Sequence, residues 1–315
     1  MNPDVTLSEA PDTLICARAL SKRYGRRHAV IDLGFAVRRG DVCALLGPNG
    51  AGKTSTMRML VGLSRPDSGV AELLAQRVGL GAPVLSRVGV LIDGPAFVPH
   101  RSGIANLRSL WSATGRAWPP PALEPALELA GLGEAINRKA KSYSMGMKQR
   151  LMLAQALMRD PEVLILDEPA NGLDPGEVRA LREELLRIAR AGGAVLVSSH
   201  QLAEVQLLAT HAVVLDQGRL IAAGSIEQML GAGDAYRMEV DDPVRATAVL
   251  AAIPGVSDVT ANEGTVTVTG LGLESRALVA ALAAEGVGIS SAQRANRSLE
   301  DAFLQITKGG DHAPR

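Results

Sequence analysis

Two stretches of the chain bring together residue types suited to holding and cutting a polyphosphate. The first is Gly47-Pro48-Asn49-Gly50-Ala51-Gly52-Lys53-Thr54-Ser55, a glycine, four residues, then Gly-Lys-Thr. Glycines at this spacing let successive backbone N–H groups turn inward and form an anion nest. A helix opening at the end of such a loop adds the positive end of its dipole. Lys53 would reach the β- and γ-phosphates of a nucleotide, and the Thr54 hydroxyl would hold Mg²⁺. The second stretch is Leu166-Asp167-Glu168-Pro169, in which two acids follow an apolar run. Carboxylates at the end of a buried strand cost several kcal/mol unless a cation or hydrogen bonds compensate them. Mg²⁺ with a triphosphate supplies that compensation. Asp167 would hold the metal through water, and Glu168 would orient and deprotonate an attacking water.

Both stretches need a rigid frame. Asp41–Leu46 is apolar and of strand length, and Thr56–Val61 suits a helix, so the glycine loop is expected between strand and helix. Val163-Leu164-Ile165-Leu166 and Ala194–Ser198 read as strands buried on both faces. Gly176–Ala191 between them carries Val178, Leu181, Leu185 and Ile188 as a helical inner stripe. Earlier strands are expected at Leu14–Ala19, Asp32–Val37, Gly69–Leu74 and Val88–Ile92, with a basic turn Lys22–Arg27 between the first two. From 100 to 158 no good strand is found; helices are expected at Ile104–Thr114, Ala122–Ala130 and Met147–Met158. His211–Ala223 reads as a hairpin and Ser225–Leu230 as a short closing helix. After Gly231-Ala232-Gly233 the pattern is βαββαβ, a small ferredoxin-like α+β unit, with Ser298 and Asp301 placed as a capping box. The expected organisation is a tail (1–13), an α/β nucleotide-binding domain (14–230) with a helical part (about 100–158), an accessory domain (235–307) and a tail (308–315).

At 315 residues and 47% hydrophobic content, the chain can bury two real cores. Its 33 basic and 33 acidic residues balance, which argues against a nucleic-acid or anionic-membrane partner recognised by bulk charge. Cys16 and Cys43 both fall on expected strands and read as small core hydrophobes. Met1–Asp12 lacks the basic start and apolar centre of a signal peptide, and no apolar run approaches the roughly 20 residues of a membrane span. Any link to a membrane is therefore expected through a partner.

Over residues 14 to about 230 the sequence resembles the ATP-binding subunits of ABC transporters. The resemblance implies an α/β P-loop NTPase fold with a helical subdomain, and ATP and Mg²⁺ as cofactors. Tyr24 stands where the family stacks adenine on an aromatic. Ser144-Met145-Gly146-Met147, followed by Lys148-Gln149-Arg150, is similar to the signature motif, whose Ser and Gly contact the γ-phosphate bound to the other subunit. Asn171-Gly172-Leu173-Asp174 is similar to the D-loop, where Asp174 helps to couple two sites. His200, after Val197-Ser198-Ser199, is similar to the switch histidine that contacts the γ-phosphate. Implied partners are a separate integral membrane permease and a second copy of the chain or a homologous subunit, which would place the protein peripherally on the cytoplasmic face of the membrane.

Two departures stand out. Met145 and Met147 occupy positions where Gly and Gln are common. Asp93 stands where the family usually has Gln. A negative charge about 6–7 Å from a phosphate costs roughly 2–3 kcal/mol at an effective dielectric near 20. Asp93 must then either face Mg²⁺, as a metal residue beside Thr54 and Asp167, or point away from the nucleotide. Bacitracin-type and lantibiotic-immunity exporters resemble this stretch, with an acid here and a Pro after it. The end of the chain, Ser298-Leu299-Glu300-Asp301-Ala302-Phe303-Leu304, also resembles drug and antibiotic exporters. With Phe97, the loop Asp93–Pro99 and the helical region 100–158 are the expected coupling surface. An alternative is a soluble ATPase switch acting on ribosomes or DNA, but the chain has one glycine-lysine loop, no sustained heptads and no basic stripe. A non-enzymatic nucleotide sensor would lack the base that Glu168 provides.

Overall fold

The computed structural model describes residues 12–230, 234–294, 299–300 and 302–303. In chain order the elements are β1 (Thr13–Tyr24), β2 (Arg27–Arg38), β3 (Val42–Leu46), α1 (Lys53–Leu60), β4 (Ser68–Leu73), β5 (Gln76–Arg77) and β6 (Val88–Leu91). Then come α2 (Gly103–Ser112), α3 (Leu123–Ala130), α4 (Met145–Leu157), β7 (Val163–Leu166), α5 (Pro175–Arg190), β8 (Ala194–Ser198), α6 (Leu202–Leu208), β9 (His211–Asp216) and β10 (Arg219–Ser225). The remainder is α7 (Ile226–Leu230), β11 (Asp234–Val240), α8 (Pro243–Ala251), β12 (Val256–Asn262), β13 (Thr265–Gly270), α9 (Ser275–Ala284) and β14 (Ile289–Arg294).

The described residues divide into two compact units, one within 12–225 and the other within 226–303. In the first, a six-stranded sheet runs in the order β10-β9-β3-β8-β7-β6. Strands β3, β6, β7, β8 and β9 are mutually parallel, and β10 pairs antiparallel with β9. Every residue of β3, β7 and β8 is buried. That is why these strands are continuous apolar runs: a parallel sheet covered on both faces has no solvent side for polar alternation. Parallel register carries a further consequence. Leu45 faces Ser198, Leu166 faces Val197 and Leu91 faces Leu166, so the segments that follow all four strands emerge along one edge.

An antiparallel sheet, β2-β1-β4-β5, shares one core with this edge; Leu20, Leu33, Leu45, Met57, Leu60 and Leu73 are fully buried in it. Its first two strands are longer than the sequence pattern suggests. Lys22, Arg23 and Tyr24 belong to β1 and Arg27 to β2, and the turn is only Gly25-Arg26, because Tyr24 pairs with Arg27. Register shifts at Ala17/Leu20 and Leu20/Lys22 break the period-2 alternation there, which hides the strand from a pattern reading.

Helices α2, α3 and α4 pack with α5 around a second core containing Leu107, Trp111, Leu151, Leu157, Leu181 and Leu185. Phe97 is half-buried against this core rather than standing out from the surface. Cys16 and Cys43 are both buried, and burial pushes the Cys43 thiol up to about 12. Among the described residues, no helix is long and apolar enough to cross a membrane.

In the second unit, β11, β12, β13 and β14 form an antiparallel sheet in the order β12-β13-β11-β14. Its own core centres on Met238, Leu250, Val266, Val268, Leu278 and Leu282. Helix α7 falls within this unit rather than closing the first. Ser298 and Asp301, the expected capping box, lie outside the described residues.

Candidate nucleotide site

The loop after β3 opens onto α1. Gly47 and Gly52 have φ of 148° and 106°, and a Cβ at either would overlap a backbone carbonyl oxygen, that of Leu215 or of Ala29. Side chains larger than hydrogen are excluded there on two grounds, conformation and space. Lys53 is 8% exposed. Its ammonium donates to the Gly47 and Pro48 carbonyls at 2.6 and 3.2 Å, folded over the loop it follows.

Across a cavity of about 200 Å³ stand the two acids that follow β7; the walls are Asn49, Gly50, Gly52, Lys53, Thr54, Ser55, Asp167 and Glu168. The Thr54 hydroxyl donates to Asp167 Oδ2 at 2.6 Å, and Ser198 Oγ donates to Asp167 Oδ1. Ser198 Oγ also accepts the Glu168 N–H at 2.9 Å. Glu168 sits at φ 50°, a left-handed conformation that a non-glycine residue adopts only under constraint from its surroundings. Its Oε2 is 2.8 Å from Nδ1 of His200, which follows β8. A hydroxyl and a carboxylate, both oxygen donors, thus meet beside the glycine loop; this is a donor set that fits Mg²⁺ carried on a polyphosphate.

Asp93, after β6, goes elsewhere. Arg58 on α1 donates from Nε to Oδ2 at 3.0 Å and from Nη2 to Oδ1, so both carboxylate oxygens are engaged. That hydrogen bond holds the guanidinium above its ordinary range. Asp93 is paired with Arg58 and is not among the residues that line the cavity between the glycine loop and the acids. The pair removes the like-charge penalty that a bare acid here would impose. Arg58→Gln is expected to weaken ATP binding about three- to tenfold, since Asp93 is half exposed and partly screened. The double change R58Q/D93Q should restore it. Isothermal titration of the three proteins checks both expectations; equal affinities throughout would show the pair to be irrelevant to nucleotide.

Tyr24, at the end of β1, is 45% exposed. Its hydroxyl lies 3.3 Å from Ser64 Oγ, and this hydrogen bond lowers its pKa from the ordinary phenol value. Ser144 is the N-cap of α4, its Oγ accepting from Met147 N at 3.2 Å. Gly146 lies in the first turn of α4, where a Cβ would overlap the Gly172 carbonyl oxygen. Asp174 is the N-cap of α5 in a reciprocal box with Glu177. Tyr24, Ser144, Gly146 and Asp174 do not line the cavity between the glycine loop and the acids.

Sequence reasoning missed three participants. Ser198 was visible only as the last residue of a strand; a polar residue ending an otherwise apolar strand, next to the acid-bearing strand, was the signal. Arg58 lies one helical turn beyond Thr54, on the same face. Arg27 donates to the Gly50 carbonyl at 3.1 Å from a strand that pattern reading did not extend that far.

A parallel sheet whose strand ends deliver a glycine-lysine loop, an acid pair and a histidine to one edge, with helices inserted between β6 and β7, defines a P-loop nucleoside triphosphatase. Comparisons sharpen the class. The ABC transporter family model matches residues 30–171. The chain is 35% identical over 298 residues to the ABC transporter ATP-binding protein YhcH of Bacillus subtilis (strain 168), covering 94% of this chain and 96% of that one. It is 32% identical over 294 residues to the bacitracin transport ATP-binding protein BcrA of Enterococcus faecalis, covering 92% and 95%. Among solved structures, an ATP-binding subunit of an ABC transporter superposes with a TM-score of 0.64 at 29% identity, covering 69% of this chain and 92% of that one. The chain belongs to the ATP-binding subunits of ABC transporters, and its activity is ATP hydrolysis.

Proposed function

We propose that the chain powers export of a drug, antibiotic or similar hydrophobic compound, as the ATP-hydrolysing partner of a separate integral membrane permease. Similarity to BcrA over nearly the whole length of both chains, the second unit included, carries this reading. The engagement of Asp93 by Arg58 is compatible with it, because it lets an acid stand in the loop leading to the helical region without opposing the triphosphate.

In this reading two copies meet head to tail with two ATP molecules between them, and the protein sits on the cytoplasmic face of the membrane through its permease. Each site takes residues 47–55, Asp167, Glu168 and His200 from one copy, and Ser144 and Gly146 from the other. Tyr24 stacks on adenine, and Asp174 lies where the two sites meet. That Ser144 and Gly146 are outside the cavity of their own chain favours such sharing. Lys53 leaves the loop carbonyls for the β- and γ-phosphates. Thr54 and Asp167 would hold Mg²⁺, which supplies positive charge to the phosphate oxygens. Glu168 accepts a proton from water, whose oxygen then bonds to the γ-phosphorus as the bond to the ADP oxygen breaks. His200 holds Glu168 through Nδ1 and keeps its other nitrogen for the γ-phosphate. With the shared anion gone, the two copies loosen, and the permease turns closure and opening into transport. The Asp93–Pro99 loop and residues 100–158 are the permease-facing surface, and residues 235–307 are an accessory domain.

The test is co-expression with the product of the neighbouring reading frame, which this reading expects to be a multi-span membrane protein. The two are expected to co-purify, and turnover in vesicles is expected to change severalfold when a bacitracin-like compound is added. A chain that recovers no membrane protein, or whose turnover ignores it, defeats the exporter reading while leaving the ATPase intact.

A further inference from the structure

The acid at the end of β7 is held from three directions, and one of them comes from the signature helix. Gln149 of α4 is 8% exposed. Its Nε2 donates to the Glu168 carbonyl at 3.2 Å and to the Pro169 carbonyl at 3.1 Å. These are the two carbonyls that follow directly on the strained φ of Glu168. Ser198 holds the N–H of the same residue, and His200 holds its side chain. A buried primary amide spending both donors on consecutive carbonyls fixes a peptide orientation; without it the Pro169 carbonyl would lose this donor and the Glu168 carbonyl would keep only the Asn171 N–H at 3.2 Å.

Gln149 lies five residues beyond Ser144 on one helix, roughly 7.5 Å along its axis. Within a helix a displacement of the first turn reaches the second nearly undiminished. Two further contacts tie the same turns to the neighbouring loop. Gly146 backs directly on Gly172, and Arg150 Nη1 meets Glu177 Oε1 at 2.7 Å, the Glu177 that closes the capping box with Asp174.

We propose that Gln149 is a positioning residue for Glu168, and that it reports to one ATP site the state of the other. This rests on the paired-subunit reading given above. Ser144 and Gly146 grip the nucleotide held by the partner; Gln149, on the same helix, sets the backbone of the base that works on the chain's own nucleotide. A subunit whose signature helix is not seated on the partner's ATP therefore holds its own Glu168 out of line. Hydrolysis in the two sites becomes cooperative because the Gln149 hydrogen bonds link the grip on the partner's ATP to the chain's own base.

Gln149→Met keeps the side-chain volume and removes both donors. It is expected to lower kcat roughly 10- to 100-fold, since small misplacements of a catalytic group have effects of that size. The KM for ATP should stay within about twofold, and the Hill coefficient for ATP should fall from above one to one. A loss of general stability would instead move KM and melting together. If Q149M does not fold, Q149N, which draws the amide back by one methylene, is judged by the same criteria. A kcat within twofold of wild type with cooperativity intact overturns the proposal. Gel filtration of Glu168→Gln with ATP separates the two ideas. If that protein stays monomeric, the paired reading fails and takes the proposal with it; if it dimerises while Q149M remains unimpaired, the proposal alone fails.

Discussion

Glu168→Gln is expected to lower phosphate release by a factor of 10² to 10⁴, the usual span for loss of a positioned base. The change is confined to chemistry. Glutamine has the same shape, and its amide oxygen still accepts from His200 Nδ1, where Glu168 Oε2 now stands at 2.8 Å. The backbone restraints on residue 168, from Ser198 below and Gln149 behind, involve its N–H and carbonyl and are unaffected. Asp167 and Thr54 keep their hydrogen bond, so nucleotide affinity should not fall. In the proposed cycle, binding then proceeds while release does not, and ATP should convert the variant to a long-lived dimer. Single-turnover phosphate release and gel filtration with ATP measure the two halves independently. Turnover above half of wild type would remove Glu168 from the role of base. His200→Ala offers an internal comparison: it leaves the carboxylate and removes its orienting partner together with the proposed γ-phosphate contact, and a loss smaller than that of E168Q is expected.

Residues whose chemistry depends on local spacing were legible in the sequence. The glycine-lysine loop and the Asp167-Glu168 pair announce themselves because a buried strand must be apolar on both faces, and acids or glycines at its end are conspicuous. Parallel pairing then does the rest, delivering β3, β7 and β8 to one edge. What stayed hidden depends on partners far apart in sequence. Asp93 looks from its neighbours like a charge in search of a metal; only the fold brings Arg58, 35 positions earlier, against it. Ser198 and Gln149 reach Glu168 across separations of 30 and 19 residues. Strand β1 escaped full recognition because its register shifts destroy the alternation on which recognition rests, and α6 because seven residues give barely two turns of periodicity. The position of Arg27 over the Gly50 carbonyl follows from the same hairpin and was lost with it.

Lys53→Ala is expected to abolish ATP binding at ordinary concentrations while leaving the fold almost untouched, and the contrast follows from where the ammonium sits. In the structure it is shielded from solvent yet meets no carboxylate among the described residues; it rests on two carbonyls of a loop that is itself partly exposed. Removing those bonds returns the carbonyls to water, a net change of about 1–3 kcal/mol. Toward a triphosphate the balance is different. The ammonium would meet two or three formal negative charges inside a cavity that already excludes part of the solvent. Truncating one partner of such a desolvated charge pair costs about 2–5 kcal/mol, or roughly 30-fold to several thousand-fold in dissociation constant. Lys53→Met separates volume from charge, because it refills the space and restores no cation. If melting of the nucleotide-free K53A protein stays close to wild type and titration calorimetry shows a loss of this size, the ammonium belongs to the ligand rather than to the fold. Equal affinities for ATP in K53A, K53M and wild type would instead assign nucleotide binding to the backbone amides alone, and Lys53 would be a structural clip on its own loop.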